Sequence, residues 1–264
     1  MTIIFRAKTN EAYVIKILVE LLTNNIKTGC FEIDTDGISL CMMDHHRKIL
    51  INLILNSENF SVYQFDSKKM FLGINLTHFH KMVKATKKKD SIELYIDDEN
   101  PNDLCIKVSP KENSRITIST VKIQTIQNLD IDIPTGYGKP IIISSSEYQK
   151  MIKELGSIGN VIKITAKNYS INFGSNAGGV YKRTVSFGEY NENEKDNYDQ
   201  DFHTENLCRI TKLSGLSNNI QIYHGSPLLF KSKIGTIGNI SIYIKSKEQI
   251  DSETHKIDSD SDYE

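Results

Sequence analysis

Phe31-Glu32-Ile33-Asp34-Thr35-Asp36-Gly37-Ile38-Ser39-Leu40 reads as strand, turn and strand: apolar and polar residues alternate on both sides of an Asp-Gly turn signal. The pattern returns as Ile162-Lys163-Ile164-Thr165-Ala166-Lys167-Asn168-Tyr169-Ser170-Ile171, with Ile33 and Ile164 separated by 131 residues. A helix-like stretch precedes each copy, Glu11 to Asn25 in the first half and Ser145 to Leu155 in the second. Further along, Leu76-Thr77-His78-Phe79-His80-Lys81 and Leu207-Cys208-Arg209-Ile210-Thr211-Lys212 stand at the same offset of 131. One offset shared by two distant places marks an internal duplication. The chain reads as two copies of one unit: strand, helix, several strands, helix, more strands.

Periodicity supports the helices. Ser144 and Glu147 have the spacing of a capping box, and Tyr148, Met151, Ile152 and Leu155 then fall on one buried stripe. Lys150 and Lys153 lie off that stripe, on the solvent side. In the first half Asn75 is the expected N-cap, Leu76, Phe79 and Val83 the buried stripe, and Lys81, Lys84 and Lys88 a second face. Alternation predicts strands over Ser91 to Ile96, Arg115 to Ser119 and Asn239 to Ile244, and strands outnumber helices. Between the halves, apolar residues alternate at Ile126, Leu129, Ile131 and Ile133 before Pro134, Gly136 and Gly138, the pattern of an extended connector. The expected organisation is a first domain over 1–123, a connector over 124–138, a second domain over 139–250 and an acidic, disordered tail over 251–264.

Composition excludes several classes. The chain of 264 residues is 25% charged and 39% hydrophobic, with a mean hydropathy of -0.35, and no window offers the roughly 18 apolar residues of a membrane span. The first residues lack a basic segment, a long apolar run and a cleavage site, so an intracellular protein is expected. Cys30, Cys41, Cys105 and Cys208 form no CxxC pair, which argues for reduced thiols over a zinc site or a disulfide framework. The net charge of -1 conceals an uneven division: Glu189 to Asp201 and Asp251 to Glu264 each carry -5, leaving +9 on the rest. A basic body with two acidic, mobile appendages is compatible with a polyanionic partner.

The duplicated context, together with Asp36-Gly37-Ile38-Ser39-Leu40 followed by Met43-Asp44, Gly73-Ile74-Asn75-Leu76-Thr77, Ser145 to Gly159, Pro227-Leu228, Lys233-Ile234-Gly235 and Ile242-Tyr243, resembles the sliding clamps of the proliferating cell nuclear antigen family. Leu129-Asp130-Ile131-Asp132-Ile133-Pro134 is similar to that family's interdomain loop. The resemblance spans nearly the whole chain, and the richness in Asn, Lys and Ile fits a divergent or viral member. It implies an α+β fold of two similar clamp-type domains, each of antiparallel sheets with two helices. Such subunits assemble as a ring, usually a homotrimer, threaded by duplex DNA.

The resemblance also implies three surfaces. Lys16, Lys81, Lys84, Lys150, Lys153 and Lys212, with Arg209 a further candidate, match ring-lining basic positions; Lys81 and Lys212 are related by the repeat. A slider needs such cations facing phosphates and must avoid base contacts that would pin it. Ile17 and Thr23 stand where the family often has lysines, so the first helix contributes less. A pocket for client peptides from polymerases and other enzymes maps to Met43, Arg47, Leu50, Ile126, Leu129, Ile131, Ile133, Pro134, Pro227 and Tyr243. Arg47 replaces the family's pocket-edge histidine, and Lys245-Ser246 an Ala-Pro pair, so client preference differs. Subunit edges map to Ser114 to Val121, with Arg115, Ile116, Thr117 and Ile118, and to Tyr181 to Phe187, with Tyr181, Arg183 and Val185. Expected partners are duplex DNA, a polymerase and other clamp-binding peptides, a clamp loader and further copies of the chain, in the nucleus or at a site of viral DNA replication; no membrane, cofactor or metal is called for.

Other readings remain. A monomeric processivity factor or checkpoint-type scaffold of the same fold is the runner-up. A metal-dependent hydrolase would have to use Asp44-His45-His46 or His78-Phe79-His80, but His78 and His80 diverge on a helix and no GxGxxG, GKS, HExxH or GxSxG motif is present.

Overall fold

Both hairpins form, and they close alike: Ile33 pairs with Ile38 in the first, Ala166 with Ile171 in the second. The computed structural model describes residues 2–111, 115–127, 129–167, 169–189 and 197–253. Ser114 of the first edge segment, Asn168 of the second hairpin, Glu192, Glu194 and Asp196 of the acidic stretch, and 254–264 of the tail lie outside them.

The first half runs β1 (Ile3–Thr9), α1 (Ala12–Thr23), β2 (Thr28–Ile33), β3 (Gly37–Met43), β4 (Ile49–Asn56), β5 (Val62–Phe65), β6 (Met70–Asn75), α2 (Leu76–Val83), β7 (Ser91–Asp97), β8 (Asp103–Ser109) and β9 (Thr117–Lys122). The second runs β10 (Ile141–Ser144), α3 (Ser145–Gly156), β11 (Val161–Ala166), β12 (Ser170–Ala177), β13 (Tyr181–Gly188), β14 (Tyr198–His203), α4 (Thr204–Arg209), a 3-10 helix (Thr211–Gly215), β15 (Asn219–Tyr223), β16 (Leu228–Ile234) and β17 (Gly238–Ile244). All strand pairs between these elements are antiparallel, in the orders β5-β1-β7-β8-β9, β10-β15-β16-β17-β4-β3-β2-β6 and β13-β12-β11-β14. The class is α+β, as expected.

The central sheet joins the halves. β4 and β17 pair without a break from Gly238 opposite Leu55 to Ile244 opposite Ile49. One face of this ladder, with Ile49, Ile51, Leu53, Ile240, Ile242 and Ile244, enters a single core cluster shared by both halves. The helices form one layer: α1 packs on α2 and on the 3-10 helix Thr211–Gly215, which packs on α3 and α4. Across this junction Glu11 accepts the Thr236 amide at 2.9 Å, and Lys212 reaches Glu20 at 2.7 Å. Gly235, at φ +50, turns tightly enough for the Glu11 carboxylate to lie where a side chain would sit.

Four readings need correction. Ala12 and Ser145 open equivalent helices 133 residues apart and the hairpins share that spacing, whereas Leu76 and Thr204 open the second helices 128 apart. The offset of 131 differs from the hairpin spacing by two, one full strand period, so it preserved every in-and-out position while missing the register. Equivalence by helix start therefore relates Lys81 to Arg209 and Lys84 to Lys212. Second, Ser144 is the N-cap of α3 but its hydroxyl meets Ser146 Oγ at 2.9 Å and caps no amide, so the capping box does not form. Third, α2 ends at Val83 with Lys84 as C-cap, which puts Lys88 in the following turn and off the helix. Fourth, the acidic segments are partly ordered: Asp199 and Asp201 belong to β14, and 251–253 continue a helical segment begun at 247, with Glu253 held by Lys245 at 2.6 Å.

Candidate peptide pocket and nucleic-acid interface

A row of directly opposite residues crosses the outer face of the central sheet. Met43 stands opposite Leu50, Leu50 opposite Tyr243, Tyr243 opposite Leu229 and Leu229 opposite Tyr223. Strand alternation explains it, since the neighbours of these residues enter the core and leave them no side but the outer one. Leu50, Leu229 and Tyr243 are buried there, with Cys41, Met43, Ile131, Tyr137 and Tyr223 packed around them. The Tyr137 ring lies 6.2 Å from Tyr223 and 6.0 Å from Tyr243, and its hydroxyl donates to the Pro227 carbonyl at 2.7 Å. Burial, with Tyr243 nearby, pushes the Tyr137 phenol up to about 12, so it remains a donor at any physiological pH. Burial and the Asp130 carboxylate likewise raise the Cys41 thiol, leaving it a neutral part of the wall.

The connector crosses above this row. It leaves β9 through a bridge between Gln124 and Gly73, and any side chain at Gly73 would collide with the Gln124 carbonyl and Ile126. Of the ten pocket residues predicted, Met43, Leu50, Ile131 and Tyr243 meet in the cluster, and Pro227 touches it through Tyr137. Ile126 sits instead over Gly73. Leu129 and Ile133 remain 62% and 40% exposed, so the connector presents uncovered apolar side chains beside the cluster. Pro134 is half-buried, and Arg47 is exposed with φ 55 in the turn after β3. Sequence reasoning missed Cys41, Tyr137, Tyr223 and Leu229. Adjacent Leu228 and Leu229 look equivalent in sequence; only the register against Tyr243 sends the first to the core and the second to the row.

The predicted phosphate contacts divide into two groups. Lys81, Lys84 and Lys153 are exposed and have no ion-pair partner among the described residues. The other four are engaged. Lys150 meets Glu147 at 2.7 Å, Lys212 meets Glu20, and Lys16 lies on the Thr86 carbonyl at 3.4 Å and over the Tyr13 ring at 5.4 Å. Arg209 is held between Glu205 and the buried Asp44, which it contacts at 3.3 Å. Asp44 also accepts the amides of Lys48 and Ile49 at 2.7 and 2.8 Å, so this carboxylate is committed to the turn and to Arg209. His45 and His46 are exposed with their rings 5.2 Å apart, and no group of three metal-ligating side chains occurs among the described residues.

Both predicted subunit edges fall on edge strands. β9 ends the five-stranded sheet and β13 the four-stranded one. Ile116, Ile118 and Tyr181 are 53%, 57% and 47% exposed there; Arg115 and Ile116 lie just ahead of β9, while Thr117 and Ile118 open it, and Arg183 and Val185 lie within β13.

Two repeated α+β units joined through one sheet, a helical layer spanning both and a connector crossing the opposite face define the clamp fold. The family described as proliferating cell nuclear antigen, N-terminal domain, matches residues 4–133. Proliferating cell nuclear antigen of Chaetomium thermophilum is 26% identical over 91% of this chain and 97% of its own, and that of Dictyostelium discoideum 24% over 92% and 99%. The crystal structure of the Entamoeba histolytica protein of that name superposes with a TM-score of 0.82 at 22% identity, covering 93% of this chain and all of its own. Together these similarities support a sliding clamp of the proliferating cell nuclear antigen family, whose N-terminal domain residues 4–133 match.

Proposed function

We propose that the protein is a DNA polymerase processivity factor: a non-catalytic clamp, three copies of which close around duplex DNA and tether replication and repair enzymes. The observation that carries the ring is the pair of edge strands. β9 and β13 each end a sheet of a different half, and joining the β9 of one copy to the β13 of the next would satisfy both rows of open backbone groups. Lys81, Lys84 and Lys153 on the helical layer supply the phosphate-facing charge, with no requirement for base contacts. The row from Met43 to Tyr223, roofed by Ile131 and Tyr137, is the seat for the apolar anchors of client peptides, which pair with the connector beside Leu129 and Ile133. A clamp loader opens the ring, and the work is done in the nucleus or at a site of viral DNA replication.

Sedimentation of the purified protein at micromolar concentration tests the ring. A mass near three times 30.0 kDa is expected. A monomer that still stimulates a polymerase would favour a monomeric processivity factor or checkpoint-type scaffold.

A further inference from the structure

The ladder of β4 and β17 runs one step past Ile244 and Ile49: the Lys245 amide donates to the Lys48 carbonyl at 3.0 Å, which sets Lys245 beside Lys48. Alternation turns Tyr243 and Leu50 outward, Ile244 and Ile49 into the core, and Lys245 and Lys48 outward again. The two lysines therefore border the apolar row directly. Exposed Arg47 precedes Lys48 in the same turn. The carboxylates of that neighbourhood are committed: Asp44 takes the Lys48 and Ile49 amides and Arg209, and Glu205 is held by Arg209. Lys48 and Arg47 have no ion-pair partner among the described residues. The row thus ends in a cationic shelf.

Glu253 meets this shelf. Ser246 and Gln249 close the capping box that Ser144 and Glu147 do not: Gln249 Oε1 accepts the Ser246 amide at 3.0 Å, and Ser246 Oγ accepts the Gln249 amide at 3.3 Å. The helical segment that starts there is tied to β14 by Gln200, which donates to Glu248 at 3.3 Å, and it brings both Glu253 oxygens to 2.6 Å from Lys245 Nζ. Lys245 is 20% exposed and Glu253 52%, so the carboxylate is the accessible partner of a surface pair, an arrangement that contributes little and is readily exchanged. We propose that Lys245, with Lys48 and Arg47, receives an acidic side chain flanking the apolar anchors of a client peptide, and that Glu253 is an internal competitor which fills the shelf until such a client displaces it. This rests on reading the row as the client seat. Charge complementarity commits the occupant: of the side chains a seated peptide could bring past the shelf, only a carboxylate pairs with Lys245 and replaces what Glu253 gave it. A duplex phosphate is the competing anion; the adjoining apolar row favours the peptide.

Two synthetic peptides with the same apolar anchors, flanked on both sides by Asp-Glu in one and by Asn-Gln in the other, test this by calorimetric titration of the full chain. The acidic peptide should bind at least roughly fivefold more tightly at low salt, and the difference should shrink as salt rises. Lys245→Gln/Lys48→Gln should remove the difference and leave the neutral peptide's affinity unchanged. Glu253→Gln should tighten the acidic peptide by roughly two- to fivefold without moving the neutral one, a gain that misfolding cannot produce. If the two peptides bind wild type equally, the shelf is wrong and the seat stands. An acidic preference that survives the lysine variant, or that Glu253→Gln leaves unchanged, overturns the proposed receiver or its competitor respectively. Equal peptide affinities with a shallower salt dependence of duplex binding in the lysine variant would give the shelf to DNA. If neither peptide binds, seat and shelf both fall.

Discussion

Asn75 and Ser144 stand directly before a helix, α2 in the first half and α3 in the second, and only one of them works as a cap. The Asn75 side chain accepts the His78 amide at 3.0 Å, whereas the Ser144 hydroxyl is turned to Ser146. Asn75→Ala should therefore cost about 1 kcal/mol in urea unfolding, and Ser144→Ala should stay within about 0.5 kcal/mol. Equal losses would show that the cap geometry does not govern these helix starts. At the pocket, Ile131 is half-buried against Leu50, Leu229 and Tyr243. Ile131→Asp would place a charge among them and should reduce client-peptide affinity at least roughly tenfold without changing the sedimented mass. Calorimetric titration with a polymerase-derived peptide measures it, and retained affinity would remove Ile131 from the site.

Helices and turns decide which cations are available for the proposed phosphate contacts. Among the described residues Lys81 of α2, Lys84 at its C-cap and Lys153 of α3 have no ion-pair partner, while Arg209 is tied to Asp44, whose side chain is only 1% exposed. Replacing the three lysines with alanine should make the logarithmic salt dependence of duplex binding shallower by about 0.9 for each phosphate that is no longer neutralised, with no new sequence preference. Arg209→Ala should appear mainly as reduced stability, about 1–3 kcal/mol, since it deprives a buried carboxylate of its cation. A slope that responds to Arg209 and ignores the lysines would reverse the assignment. Much of this level was legible in the sequence. The stripes Leu76, Phe79, Val83 and Tyr148, Met151, Ile152, Leu155 are buried as their spacing required, because helix periodicity is a local property. Pairing is not local: a two-residue shift leaves strand alternation intact, so neither the true hairpin spacing nor the partners of Leu229 and Tyr223 could be read before the register was known. The ion pairs of Arg209 and Lys212 were hidden for the same reason, since Asp44 and Glu20 are distant in sequence and adjacent only after folding.

The molecule as a whole is less divided than its repeated sequence implies. β4 and β17 are interior strands of one sheet, the core cluster is continuous, and across the same boundary Glu11 holds the turn between β16 and β17 while Glu20 holds Lys212. The halves should therefore unfold in a single transition, with circular dichroism and tyrosine fluorescence giving coincident midpoints in urea. Two separated transitions would mean that the junction is weaker than its ladder. Expressing 1–123 alone should yield an aggregating fragment, because the edge of β4 that faces β17 would be bare. The pocket inherits this indivisibility. Met43 and Leu50 come from the first half, Leu229, Tyr243 and Tyr223 from the second, and the roof from the connector between them. If the row is the client seat proposed above, it cannot be complete during synthesis until β16 and β17 have emerged from the ribosome and closed against β4, because Leu229 and Tyr243 belong to them.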